Sequence, residues 1–249
     1  MSSPAYNRMG LNYSDHRQPD PRIEAAIWDA LGDARSVVNV GAGAGSYEPT
    51  DREVIAVEPS PVMIAQRPPG AAPALEGVAE ALPLEDRSVD AAMGVLTIHH
   101  WPDLDAGLAE MRRVARRRIV LLTIDAERNS KIWTLSEYFP DAMALERELM
   151  PSIDSLEVSL PGAAVEPVLA PSRCRDEFTS ALWDRPERFL DPDLLRGSSL
   201  WHRLSPATIE RGQERLRADL ESGAWDERHG HLRTQPELDI GLHLVREEL

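Results

Sequence analysis

Between residues 36 and 124, five short apolar runs alternate with stretches that carry helix signals, and this alternation leaves the chain few possible folds. The runs are Ser36 to Val40, Glu53 to Val57, Ala74 to Val78, Asp90 to Leu96 and Ile119 to Ile124. Each is apolar almost throughout, as expected of strands covered on both faces. Asp20-Pro21 opens a helix that carries Ile23, Ile27, Ala30 and Leu31 on one side. Ser60-Pro61 opens another through Met63 and Ile64, which Pro68-Pro69-Gly70 breaks, and Pro102 starts a third with Leu104, Leu108, Met111 and Val114 inward. Strand and helix patterns alternating five times predict a doubly wound, mostly parallel α/β sheet with right-handed crossovers.

In such sheets a ligand sits beyond the carboxyl ends of the strands, where the strand order reverses. The first run leads directly into Gly41-Ala42-Gly43-Ala44-Gly45, followed by Ser46, Tyr47 and Glu48, and the second run ends in Glu58. A turn so bare of side chains lets a ligand approach the backbone. A carboxylate at the end of the next strand can accept two hydrogen bonds from the vicinal hydroxyls of a ribose, so the pattern points to a nucleoside derivative. The dinucleotide fingerprint Gly-x-Gly-x-x-Gly would put its third glycine at position 46, whereas the glycines here are 41, 43 and 45 and the loop carries no positive charge before Arg52. A nicotinamide-dependent oxidoreductase is therefore a distant third reading.

At these residues the chain resembles the class I S-adenosylmethionine-dependent methyltransferases, with their seven-stranded, Rossmann-like sheet. The resemblance implies that Gly41, Ala42, Gly43 and Gly45 lie along the methionine part of the cofactor, with Tyr47 close behind, and that Glu58 holds the ribose, followed by Pro59. Met63 would cover the adenine, Ala79 and Glu80 would border it, and Leu96, Thr97 and Trp101 would line the floor. Tyr13 and Arg17 resemble a Tyr-x-x-x-Arg pattern in which the arginine meets the cofactor carboxylate; the alternative is that they staple the N-terminal segment to the sheet. The family usually has an acid two residues before the first glycine, and this chain has Asn39, an amide that can accept from the cofactor ammonium without the charge attraction. The likeness is good over about residues 11 to 125 and loose beyond.

A chain of 249 residues with 42 % hydrophobic content is expected to form a single domain: residues 1–35 as lid and helix, 36–125 as cofactor-binding core, and 126–249 as acceptor-side insertions with the last two strands. The formal net charge of -15 disfavours nucleic acid as a partner. Arg112, Arg113, Arg116, Arg117 and Arg118 form the one basic patch, expected at the amino ends of the strands as salt-bridge partners for the many acids. The single cysteine, Cys174, excludes an internal disulfide and a multi-cysteine zinc site, and no metal is expected. No secretory signal and no apolar run of membrane-spanning length is seen, so a cytoplasmic protein is expected.

Beyond Asp125, Ala163 to Leu169 and Asp239 to Val245 are expected to complete the sheet, one strand of the seven running antiparallel. A long helical stretch is expected over Asp176 to Gly223, with Ser205-Pro206 opening its last helix. Trp133, Tyr138, Phe139, Trp183, Phe189 and Trp201 either wall a pocket for a flat or apolar acceptor or glue the insertions to the core. After the fourth strand, Thr97-Ile98-His99-His100 stands where amino-methylating nucleic-acid enzymes carry an Asn/Asp-Pro-Pro-aromatic tetrad, which again points to a small-molecule acceptor. His99 and His100 are candidate bases; on extended backbone they would point to opposite sides, and His100 is slightly favoured to face the acceptor. The leading expectation is methyl transfer by in-line displacement to an O, N or C atom of a small molecule. A noncatalytic cofactor-binding scaffold or partner protein is the alternative.

Overall fold

In the computed structural model, which describes residues 17–196 and 198–249, the first helix starts where the sequence places its cap. Asp20 accepts from the Arg22 amide, and α1 (Pro21–Leu31) runs to Gly32 with Ile23, Ile27, Ala30 and Leu31 buried. The core strands follow as β1 (Ser36–Val40), β2 (Glu53–Glu58), β3 (Ala74–Glu76), β4 (Val89–Val95) and β5 (Ala115–Ile124). Between them lie α2 (Pro61–Ala65), which Ser60 caps, and α3 (Leu104–Val114), which Asp103 caps. The second half adds α4 (Ala126–Asn129), α5 (Trp133–Ser136), α6 (Pro140–Leu149) and α7 (Ile153–Ser159), then strands β6 (Ala164–Pro167) and β7 (Ala170–Pro171). Helices α8 (Pro192–Arg196), α9 (Pro206–Ser222) and α10 (Ala224–His229) precede β8 (Glu237–Leu238) and β9 (Leu242–Glu248).

The seven-stranded sheet has the order β3-β2-β1-β4-β5-β9-β6, with β7 and β8 forming a separate ribbon. Strand β9 runs antiparallel to both of its neighbours and is the one reversed member. Alternate residues of each strand feed opposite faces. Val37, Ala91, Met93, Val120 and Leu122 pack with α1 and the C-terminal insertions, while Val38, Val40, Ala92, Ile119 and Leu121 pack with Leu108, Met111 and Val114 of α3. The continuous apolar runs thus mark a sheet sandwiched between two layers.

Strand order reverses at β1, between β2 and β4, and the register brings the carboxyl ends of β1 and β2 level at Val40 and Val57. The Gly41 and Ala42 amides both donate to the Val57 carbonyl, which places the glycine turn beside Glu58.

Two expectations for the second half shift. The last strand begins at Leu242, not Asp239, because Asp239 folds back to accept from the Gly241 amide and Gly241 takes φ +82 to make the corner. Asp176 to Gly223 is not one long helical stretch: 3-10 turns at Thr179–Leu182, Pro186–Leu190 and Trp201–Arg203 and the short α8 precede α9. Pro186, Pro192 and Pro206 each lack an N–H and restrict the preceding residue, so the chain restarts at each. The aromatic residues serve as glue. Trp133 meets Tyr138, Phe189 and Trp225 edge to face, and Phe139 meets Phe189 and Trp201, all within 6.0 Å between centroids. The arginine cluster is paired as expected, Arg112 with Glu247, Arg113 with Glu110, Arg116 with Asp90 and Arg117 with Asp33. Among the described residues no helix is long and apolar enough to cross a membrane.

Candidate active site

A cavity of about 540 Å³ lies at the carboxyl ends of β1, β2 and β4. Its first wall is the glycine turn. Gly41 takes φ +70 and Gly43 φ +52, the left-handed region that glycine enters at least cost. A Cβ on Gly41 would stand 2.0 Å from Thr97 Oγ1, so the turn can touch the loop after β4 only because position 41 has no side chain. Ala42, Ala44 and Ser46 complete this wall.

Glu58 is held in place by backbone. Its Oε2 accepts from the Gly43 amide at 2.8 Å and its Oε1 from the Ser60 amide at 2.9 Å, which leaves further lone pairs on both oxygens. Burial raises its pKa, and the two amide bonds pull the other way. Asn39 borders the same cavity. Its Nδ2 donates to Glu48 Oε1 at 3.0 Å, Glu48 is in turn paired with Arg67 at 2.6 Å, and the buried Asn39 Oδ1 has no partner. Glu48 brings back beside the amide a carboxylate that position 39 lacks, and Arg67 offsets its charge.

The remaining walls come from Pro59 and Met63 after β2, Val78, Ala79 and Glu80 after β3, and Val95 to Pro102 after β4. Met63 reaches toward Gly43, and the Trp101 ring lies against Gly107 of α3, where a Cβ would be 2.5 Å from it. Leu96 takes φ +50, rare for a branched side chain, and the strained turn directs the chain from β4 into this wall. Gly45 is the exception among the expected residues: it does not border the cavity. At φ +94 it shapes the turn, and its bare face admits the Arg67 guanidinium, 3.1 Å from where a Cβ would be.

Arg17 borders the cavity and is tied to the far half of the chain, bonding Asp176 through Nε and Nη2. Tyr47, also at positive φ, donates its hydroxyl to the other side of that carboxylate at 2.9 Å, and burial raises its pKa. Arg17 is thus a staple whose guanidinium flanks the cavity. Tyr13 lies outside the described residues.

His99 and His100 differ from expectation. They sit in a 3-10 turn, Ile98–His100, closed by the His100 amide donating to the Thr97 carbonyl. The rings therefore lie 3.9 Å apart between centroids, and both border the cavity instead of pointing to opposite sides. Burial, with Arg17 and Arg203 nearby, pushes His99 well below its usual pKa and His100 down to about 4. Both are neutral at pH 7, and high pH has no protonated imidazole left to relieve.

A second, smaller cavity of about 60 Å³ adjoins the first. Arg17, Leu96 and His99 border both, so His99, not His100, faces the inner space. None of the six aromatic residues weighed as pocket walls borders either cavity; Phe178 borders the inner one. The sequence reading missed Arg203, which borders the large cavity and makes no ion pair among the described residues, and Glu146, which borders the small one. Neither stands near a motif, and only helical periodicity marks Glu146, as a polar residue on the inward face of α6 beside Ala142 and Met143.

Residues 38–122 match a family described as methyltransferase domain. A crystal structure from Anabaena variabilis, provisionally described as a methyltransferase from an antibiotic biosynthesis pathway, superposes with a TM-score of 0.88 at 33 % identity, covering 95 % of this chain and 100 % of that one. A structure of an S-adenosylmethionine-dependent methyltransferase from Thermotoga maritima covers 98 % of this chain and 97 % of its own with a TM-score of 0.58, and at 17 % identity it shares the fold alone. An uncharacterised methyltransferase of Mycobacterium tuberculosis is 38 % identical over 109 residues, which span 40 % of this chain and only 43 % of that relative. Glycine turn, acid-ended second strand and full-length likeness agree: the chain belongs to the class I S-adenosylmethionine-dependent methyltransferase family.

Proposed function

We propose that this protein transfers a methyl group from S-adenosylmethionine to an O, N or C atom of a small-molecule acceptor. The observation that carries the reading is the unpartnered Asn39 Oδ1, buried in the wall of a cavity that also presents Glu58 and the open Gly41 to Gly43 backbone. A buried acceptor without a donor costs about 1–3 kcal/mol, and a ligand ammonium placed there would remove that cost. When bound, the cofactor supplies an electrophilic methyl carbon on a sulfonium.

The chain's own residues would divide the binding between them. Asn39 Oδ1 would accept from the ammonium, Arg17 and Arg203 would face the carboxylate, and Glu58 would accept from the ribose hydroxyls with the lone pairs its backbone donors leave free. Met63, Ala79 and Trp101 would enclose the adenine, with Glu80 at its edge, while Leu96 and Thr97 form the floor. Apart from binding, their contribution is to orient the reactants and exclude water. Burial makes His99 and His100 weak bases, so they would position the acceptor instead of holding its proton. The inner cavity is far too small for a folded macromolecule or a stacked base, which supports a small acceptor and disfavours nucleic acid.

Calorimetric binding of S-adenosylhomocysteine tests the reading. The wild type should bind it and should not bind NAD. Glu58→Ala should weaken it by about 2–3 kcal/mol, at least tenfold, through lost charged hydrogen bonds. Because the same change frees the Gly43 and Ser60 amides, Glu58→Gln, which keeps one acceptor oxygen, is measured beside it with urea unfolding of both. Unchanged affinity in a folded variant would move the site elsewhere.

A further inference from the structure

The inner cavity is built by side chains that methyl-donor binding does not use. Glu146, on α6, is 3 % exposed, and its Oε2 accepts from Asn129 Nδ2 at 2.7 Å. Its Oε1 has no hydrogen bond among the described residues, and no cation pairs with it. On another segment of the cavity wall, Ser180 is fully buried with its Oγ unpartnered. The other walls are mixed: Ile124, Leu149, Met150, Phe178 and Leu200 are apolar, and Thr179, Ser198 and Ser199 add neutral polar groups without charge.

A buried acid with one oxygen left unbonded, and beside it a buried hydroxyl without a partner, are costly where no cation faces them. The charge balance says what would relieve them. Arg17, the cation of this chamber, is matched by Asp176, and His99 is neutral. Nothing in the chamber matches Glu146, whose own pKa burial lifts to about 7. The chamber adjoins the large cavity along Leu96 and His99, the side from which a methyl group would arrive.

We infer that this chamber is the acceptor subsite and that it takes the amino group of a small amine, with Glu146 Oε1 receiving an N–H of that group and Ser180 Oγ a second. The inference rests on the methyltransferase reading above and names its acceptor class. An amine arriving as an ammonium has no lone pair for a methyl carbon. Transfer of one proton to Glu146 breaks an N–H bond, leaves the electron pair on nitrogen and forms the O–H bond of a neutral acid. The burial of Glu146 favours that neutral pair over two separated ions. Alcohols of the same shape lack the charge that Glu146 would pair with.

The test compares isobutylamine with isobutyl alcohol, titrated by NMR at pH 8 into the protein with and without saturating S-adenosylhomocysteine. The wild type should bind the amine at least tenfold more tightly than the alcohol, and Glu146→Gln should bring the two within about twofold while leaving S-adenosylhomocysteine affinity unchanged. Equal binding of the two probes by the wild type, or no binding of either, overturns the inference. So does a preference that survives in Glu146→Gln. Should that variant fail to fold, the wild-type comparison decides alone. Failure of S-adenosylhomocysteine to bind sinks the methyltransferase reading, while the titration without it still reports on the chamber.

Discussion

The two adjoining cavities are made of different material. The large one is walled mostly by residues drawn from three short stretches at strand ends, within 39–47, 58–63 and 95–102, and its sharpest features are backbone: glycines at positive φ, amides on Glu58, and the Leu96 turn. The inner chamber takes single side chains from segments as far apart as Arg17, Glu146, Ser180 and Leu200. A wall of backbone is fixed by sheet register and can change only if the sheet does. A wall of separate side chains can be altered one residue at a time, so the inner chamber is free to vary while the large cavity keeps its geometry. Arg17 joins the two, bordering both while clamped to Asp176.

That joint should give the largest effect when broken. Arg17→Ala would leave the Asp176 carboxylate buried with only the Tyr47 hydroxyl as a side-chain donor, and should destabilise the protein by about 3–5 kcal/mol in urea unfolding. A loss under about 1 kcal/mol would mean the two cavities are not held together electrostatically.

Next in size is an opposite effect in the chamber. The folded pKa of Glu146 stands near 7 against an ordinary 4.5, so the native state holds a proton that the unfolded chain gives up between those values. Stability contributed this way is full below about pH 4.5 and is lost as pH rises through 7. Glu146→Gln, neutral throughout, should therefore be more stable than wild type at pH 8 by about 2–3 kcal/mol and equal to it near pH 4. A difference independent of pH would show that the carboxylate is hydrated, and the contrast between the cavities would weaken.

The smallest effect is expected at Arg203, at the rim of the large cavity. Arg203→Ala should weaken S-adenosylhomocysteine by about 1 kcal/mol and leave methylthioadenosine, which has no carboxylate, unchanged. Equal losses for both ligands would place Arg203 in the wall and not on the carboxylate.

Sequence by itself determined the strand ends and the turn that surround the large cavity. Apolar runs fix where β1 to β5 lie, Asp20 and Ser60 mark helix starts, and Gly41, Gly43 and Glu58 announce the ligand turn, because each of these signals depends on neighbours within a few residues. Gly45 differs for the opposite reason: it does not border the cavity, and its face is decided by Arg67, 22 residues on, which packs where a side chain would be. The histidines show the same limit at shorter range. A pair on extended backbone would diverge, but the positive φ at Leu96 and the 3-10 turn after it put both rings on one side. Only the tertiary structure decided the Arg17–Asp176 clamp, the approach of Arg203 and the chamber around Glu146. Those contacts join residues from 17 to 159 positions apart, and what brings them together is the burial of aromatic insertions on one face of the sheet, which leaves no periodic trace at the residues it gathers.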